Sequence, residues 1–546
     1  MNSHLPHTRG LRNESKIVAI TIGLVAAVVV GCLWTPFAAA QSPEICAPVE
    51  RVDKYRFLRQ LTLDLYGRIP TVEEYERLHT MDDVTDELID EMIGSTEFFV
   101  QLRRYHRNLL WSNLGEEDLI KQVIQEEGDD TFRVWVNRGK RDDYRGQDVE
   151  CLDMEHTNFD TDGRPLPMVE NYMEGECAGG EGCRMDGWVD VEPYWAPGTT
   201  IRVCAFDAQA HTDATPEDDG DPRTCDRVGG DDPLCGCGPN LRYCAARGGD
   251  GNYDTIHEVL LEEPARIFEN IISSGEPYMN AFSTRSTSMN GALAHYYRYL
   301  ARDNDAELKN SPDLGYDAGW QLVEREAYHS GILTTLGFLR RFASHRARVN
   351  RLYTAFLCNP FEAPAGGLPP ATDDCSSNPD LSSRCGCATC HETIEPATTH
   401  WGRWEEGDDF VYQEDINTFN NGCADCEKGN CSNFCKTFYI TRELETTPGS
   451  VDSELGKLKV LGWRTDAEAA ALDVGPSALT SRPEYQQQLA SCAVQNFAEY
   501  VFGRELSADE QTGWLDEKTS SFAGAGHDFL QMVKAVVADD RYRRIE

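Results

Sequence analysis

Apolar side chains recur at helical spacing over residues 54 to 114. Phe57, Leu61 and Leu65 share one face at i, i+4 and i+8, with Tyr55 and Leu58 beside them. The run meets Gly67, a stop signal, and Pro70-Thr71 opens a second helix through Glu73, Glu74 and Tyr75. Two more helices follow, the longest over Phe98 to Leu114, where His106 reads as a packed core histidine beside Leu109 and Leu110. From Gly128 to Asn252 this period disappears into Asp, Glu, Gly and Cys, broken by short strand-like pieces, Phe132-Arg133-Val134-Trp135-Val136 and Ile201-Arg202-Val203-Cys204-Ala205-Phe206. Helical spacing returns over Thr255 to Ser273, continues through Thr287 to Tyr297, and resumes over 329 to 357 and from Leu455 to Arg544.

The pattern predicts a mainly α fold: multi-helical domains with a Cys-rich, loop-rich insert containing minor β structure. Its boundaries divide the chain into a leader (1–40), an N-terminal helical domain (41–127), the insert (128–252), a middle helical domain (253–328), a domain with a Cys-rich tail (329–440) and a C-terminal helical domain (441–546). The insert holds too few apolar residues to be fixed by burial, so we expect disulfides there.

The leader carries Arg9, Arg12 and Lys16, an apolar run from Ile17 to Trp34, and Ala38-Ala39-Ala40 before Gln41. That order is a signal peptide cleaved after Ala40, and it places the chain outside the cytoplasm, in a periplasm or cell envelope. Two alternatives stay open: lipid on Cys32, within Val29-Val30-Gly31-Cys32, or an uncleaved anchor. Either gives the only membrane attachment we expect. Composition adds a strong field: 51 Lys+Arg against 92 Asp+Glu leave a net charge of -41, which excludes nucleic acid as a partner and suits a cationic protein.

Export changes the meaning of Cys387-Ala388-Thr389-Cys390-His391. Random placement of 20 Cys and 13 His in 546 residues yields about 0.02 such Cys-x-x-Cys-His phrases. In an oxidising compartment both thiols add to the vinyl groups of one haem and the adjacent imidazole takes the iron, so we read Cys387 and Cys390 as covalent attachment points and His391 as proximal ligand of a single c-type haem. A disulfide or metal knot is the alternative.

Arg59-Gln60-Leu61-Thr62-Leu63-Asp64-Leu65-Tyr66-Gly67-Arg68-Ile69-Pro70-Thr71 resembles a phrase in the domains of unknown function of planctomycete-type cytochrome c proteins. The short helix ending in His295-Tyr296-Tyr297 resembles their middle domain. A Gly-x-Leu-Thr helix at Gly331, a basic helix over Arg346 to Arg351, a Pro-rich loop and Cys390-His391-Glu392-Thr393-Ile394-Glu395-Pro396 resemble their haem domain, and Cys492 to Arg504 resembles their C-terminal helix. The resemblance implies that 329–440 is a haem-binding domain. It departs after Pro396, at Ala397 to Trp404, which leaves the sixth iron ligand open among His400, His345 and His329, with Met289 behind them. Trp401, Trp404 and Arg403 wall a haem and pair a propionate on one reading, and form a packing cluster on the other.

Asn158, Asp160 and Asp162 before Gly163 match the start of a calcium loop, but Glu170 falls one place late, so calcium stands beside an ordinary Asp/Gly turn. Cys423, Cys426, Cys431 and Cys435 favour two disulfides over zinc or an iron–sulfur cluster in an exported chain. No Gly-x-Ser-x-Gly, Walker, His-Glu-x-x-His or Rossmann glycine phrase occurs. The expected function is therefore an exported c-type cytochrome-like protein passing electrons to a redox partner protein, more carrier than enzyme. A haem-free disulfide-rich surface protein and a haem enzyme or ligand sensor are the rivals.

Overall fold

The phrase around Gly67 folds as its residues dictate. Helix α1 (Lys54–Tyr66) is capped by Asp53, whose carboxylate accepts from the Tyr55 and Arg56 amides. It ends at Gly67 with φ 71°, where the Gly67 and Arg68 amides return to the Leu63 and Thr62 carbonyls. Helix α2 (Val72–His79) opens with a capping box between Thr71 and Glu74. Ser and Thr caps likewise open α3 (Asp86–Ile93) and α4 (Thr96–Leu109).

This computed structural model describes residues 51–110, 119–120, 122–137, 149–166, 168–172, 183–210, 213–214, 224–225, 235–248, 251–301, 312–362, 367, 374–407, 412–427, 429–444 and 451–544. They belong to one unit, Arg51–Ile545. The signal peptide, the apolar run and Cys32 lie outside the described residues.

In the insert, strands β1 (Val123–Gly128), β2 (Arg133–Asn137), β3 (Val149–Glu155), β4 (Val169–Tyr172), β5 (Cys183–Val191), β6 (Ile201–Cys204) and β7 (Ala245–Arg247) form one mixed sheet. Its order is β3-β5-β6-β2-β1-β7, with β4 also on β5. Both strand-like pieces of the sequence are found here, as β2 and β6, and they pair in parallel through Trp135 and Val203. The sheet's own core is small, Ile124, Val203 and Leu241 among its members, and disulfides Cys225–Cys235 and Cys237–Cys244 sit inside the insert as its composition requires.

Helix α5 (Tyr253–Ser273) packs along α4 through Arg103 and Arg107, which pair with Glu262, Glu269 and Glu258. His106 stacks on Phe268 with ring centroids 4.0 Å apart, fully buried, and burial pushes its imidazole down to about 3. It is a core residue, as its sequence neighbours imply. The helix expected from Thr287 begins later. Ser286–Met289 is strand β8, paired antiparallel with β9 (Gln321–Glu324), and Asn290 then caps α6 (Gly291–Leu300). Thr287 and Ser288 are poor helix interior residues, and Asn290 stops any helix from running back through them.

Helices α7 (Leu336–Arg341), α8 (His345–Phe356) and α9 (Ala388–Thr398) carry the segment around the Cys-x-x-Cys-His phrase. Short helices α10 (Asn421–Ala424) and α11 (Asn433–Phe438) follow. The disulfides Cys423–Cys435 and Cys426–Cys431 hold them, so the four-cysteine group forms two disulfides as expected for an exported chain. Helices α12 (Asp466–Ala469), α13 (Pro476–Thr480), α14 (Pro483–Phe502), α15 (Leu515–Gly524) and α16 (Phe529–Val537) close the chain. The fold is mainly α with a minor β component.

One hydrophobic core runs from Phe57 to Tyr542 and joins helices from both chain ends. Gln60 donates to the Tyr542 carbonyl, the Tyr542 hydroxyl donates to Asp64 at 2.7 Å, and Arg543 forks onto Asp83. A second staple, Cys358–Cys492, ties the end of α8 to α14.

Helix α14 ends in the Gly503-Arg504 phrase for a local reason. Gly503 adopts φ 68°, and Arg504 then forks onto Glu510 at 2.7 and 3.1 Å. That fork, with the Ser507 amide, outweighs burial and holds the Glu510 carboxyl down at about 2, against an ordinary 4.5. A depressed carboxyl stabilises the fold above its unfolded value, and the contribution is lost as pH falls from about 4.5 to about 2. Glu510→Gln is therefore expected to be about 1–3 kcal/mol less stable than the parent at pH 6 and nearly equal to it at pH 2, read from denaturant midpoints across that range.

Candidate functional site

The candidate site is built at the N-terminus of α9. Upstream, Cys375–Cys385 closes a loop in which the buried Asp380 carboxylate accepts from the Ser382 amide and hydroxyl and from Ser383. Gly386 then turns the chain at φ 72°, a conformation few residues other than glycine adopt easily. Cys387 occupies the cap position, and its carbonyl accepts from the Cys390 and His391 amides. Helical geometry thereby sets Cys387 and Cys390 on one face at i, i+3, with His391 next to them.

Both thiols are half-buried and unjoined. Cys390 packs against the main core and its Sγ lies 3.6 Å from the Glu362 carbonyl. The state of the other cysteines makes this informative. Among the described residues, twelve cysteines form six disulfides, whereas the two closest in sequence to His391 stay apart.

His391 Nδ1 lies 2.5 Å from Glu395 Oε1, one helical turn on. The same carboxylate takes a fork from Arg346 of α8, at 2.6 and 3.1 Å. Burial alone would raise Glu395, but Arg346 and then His391 outweigh it and hold the carboxyl below its usual range. With Nδ1–H donating to the carboxylate, the lone pair of the neutral ring is on Nε2, which makes no hydrogen bond among the described residues. Glu395 and Arg346 were both present in the sequence phrases without an assigned role. The His391–Glu395 spacing of i, i+4 is legible there, whereas the arrival of Arg346 from a separate helix is not.

The neighbouring arginine of α8 explains another part of the basic phrase. Arg348 is fully buried and donates to the carbonyls of Phe342, Trp404 and Glu405, knitting α8 to the segment after α9.

The three candidate sixth ligands differ in what their nitrogens already do. His345 has both engaged, Nε2 with the Trp404 carbonyl at 2.8 Å and Nδ1 with Glu406 at 3.0 Å. His400 is buried, donates from Nδ1 to the Gly475 carbonyl at 2.8 Å, and is pushed down to about 4 by burial. His329 is buried with Nε2 unpartnered, its ring edge-on to Trp404 at 5.2 Å. Trp404 thus collects His345 and His329, while no hydrogen bond or ring contact among the described residues joins any of the three to His391. Met289 is fully buried in the main core.

Trp401 is also fully buried, its indole donating to the Leu333 carbonyl at 3.0 Å. Arg403 is engaged by Asp473 and by the Gln413 and Glu414 carbonyls. Trp404 is buried beside them, its ring against Tyr328, His329 and Tyr412.

At the calcium candidate, Asp160 Oδ1 accepts from the Asp162 and Arg164 amides, and Phe159 bridges Pro165. The carboxylate organises its own turn. Cys151 and Cys204, in the insert, line a cavity of about 200 Å³ with Asp207 and Asn137. A hydrogen bond donated to Cys151, with burial, pushes the Cys204 thiol well above its usual range, so it is a poor nucleophile.

No family model, curated protein or solved structure matches this chain.

Proposed function

We propose that the protein is an exported c-type cytochrome-like electron carrier, with one haem bound covalently through Cys387 and Cys390 and ligated by His391. The observation that carries this reading is the pair of unjoined thiols at i, i+3 beside an imidazole whose Nδ1 is held by Glu395, in a chain whose other described cysteines are mostly paired. The donor set fits the group. Each thiol adds across one vinyl group, S to one carbon and H to the other, with no net oxidation. Bound there, haem supplies a one-electron couple.

The chain's own residues do the rest. The Glu395 carboxylate orients His391, and the Cys375–Cys385 loop presents the two thiols. The net charge of -41 steers a cationic redox partner protein and repels an anionic one. The six disulfides support an oxidising destination, and they equally favour the second reading, a haem-free disulfide-rich surface protein.

The test is the visible spectrum of the full chain made in a periplasm with haem-attachment machinery and purified in denaturant. The proposal expects a Soret band that survives acid–acetone extraction and titrates as one electron. A colourless protein contradicts it. A band that responds to added peroxide or small ligands while resisting reduction by any protein donor favours the enzyme or sensor rival.

A further inference from the structure

We infer that Glu395, held in place by Arg346, is the positioning residue that fixes the tautomer of His391 and sets its strength as an electron donor; this rests on the haem reading above. Pairs at i, i+4 are common on helix surfaces and worth little there, so the geometry around this one matters. The Glu395 side chain is only 14% exposed, and its Oε1 is shared between His391 Nδ1 at 2.5 Å and Arg346 Nε at 2.6 Å. The carboxylate is thus locked from a second helix rather than free to swing into solvent.

Two consequences follow. The Nδ1–H tautomer is enforced, which turns the Nε2 lone pair outward on the opposite side of the ring. A carboxylate acceptor also places more electron density on the imidazole than a neutral carbonyl would, which strengthens the Nε2 donor and favours the oxidised, more positive metal. Arg346 opposes this by drawing on the same oxygen. The two residues therefore act on the ligand with opposite signs, which a purely structural contact would not do.

The experiment uses the full chain in two states. Haem-free protein labelled with ¹⁵N in its histidine rings is observed by NMR at a pH where imidazole is neutral; wild-type His391 is expected as the Nδ1–H form, and Glu395→Ala is expected to shift it towards Nε2–H. In haem-loaded protein, Glu395→Gln is expected to raise the reduction midpoint and Arg346→Ala to lower it. Covalent haem content and circular dichroism are recorded for both, and midpoints are compared on the haem-bearing fraction. If Glu395→Ala does not fold, the opposite signs of the other two variants carry the test.

The inference is overturned if neutral wild-type His391 is mainly Nε2–H, or if both variants leave the midpoint unchanged or move it the same way. Failure of the haem reading is separately visible: the wild-type chain then gains no haem, whatever the tautomer of His391.

Discussion

Cys387→Ser combined with Cys390→Ser is expected to abolish covalent haem completely, whereas Cys423→Ser combined with Cys435→Ser leaves it attached. The reasoning rests on what each pair of sulfurs does in the fold. Cys387 and Cys390 join nothing and stand on one helical face beside His391, so their removal costs the attachment chemistry and no cross-link. Cys423 and Cys435 are joined, and their loss releases a constraint on the tail that carries α10 and α11. Visible absorbance per chain, measured in denaturant beside a thermal melt, separates the two. Equal loss of haem in both double variants, with matched loss of stability, would mean that the tail supports the fold and that Cys387 and Cys390 hold no haem of their own.

The second large effect is expected from Glu263→Ala, at about 3–5 kcal/mol of lost stability, because it removes one partner of a buried ion pair together with the acceptor of two hydroxyls. Glu263 lies in the middle of α5 with its side chain 1% exposed, and Arg325, just after β9, is 3% exposed at 4.0 Å. Its Oε1 also accepts from the Thr287 hydroxyl of β8 and, with Oε2, from the Tyr297 hydroxyl of α6, which in turn accepts from the Leu336 amide at the start of α7. Burial raises the Glu263 carboxyl, and Arg325 counters it. α5, β8, α6 and the segment after β9 thus meet on one carboxylate, and α7 joins through Tyr297.

Removing Glu263 takes away the carboxylate that faces Arg325 and the acceptor of two hydroxyl donors. Replacing both charges, Glu263→Leu with Arg325→Met, is expected to recover most of the loss, since a buried ion pair contributes little net stability over apolar packing. Denaturant midpoints of the single and double variants check this. A single variant within about 1 kcal/mol of the parent would show that water reaches Arg325.

Much of the helical order was readable because local signals agree with each other. Gly67, Thr71 and Glu74 announce the α1–α2 junction, and the structure uses each of them as a cap. The disulfide tail was readable because the expectation of an oxidising compartment favours two cross-links among four close cysteines, and the structure joins them so. What failed to show was anything fixed by distant partners. Strand β8 is four residues long and holds its shape by pairing with β9 some thirty residues on, so its own sequence could not outvote the helical pattern beside it. The parallel pairing of β1 with β7 spans more than a hundred residues, and neither strand carries a mark of the other.

The shared core has the same origin. Nothing in Phe57 announces Tyr542, yet both are buried in it. At the candidate site, Cys387, Cys390 and His391 were legible as a phrase, and Glu395 as a spacing. Arg346 was legible only as part of a basic helix, because its partner is set by how α8 packs on α9. The three sixth-ligand candidates could not be ranked from sequence, since the difference lies in which ring nitrogens the fold has already engaged.

The central claim is tested most directly by the mass of the proteolytic peptide containing Cys387 to His391, taken from the full chain produced where haem-attachment machinery operates. The account predicts that peptide at its own mass plus one haem, stable to reductant, with Cys375–Cys385 as the neighbouring disulfide. The same peptide found without haem, whether as two alkylatable thiols or as a Cys387–Cys390 disulfide, would contradict it.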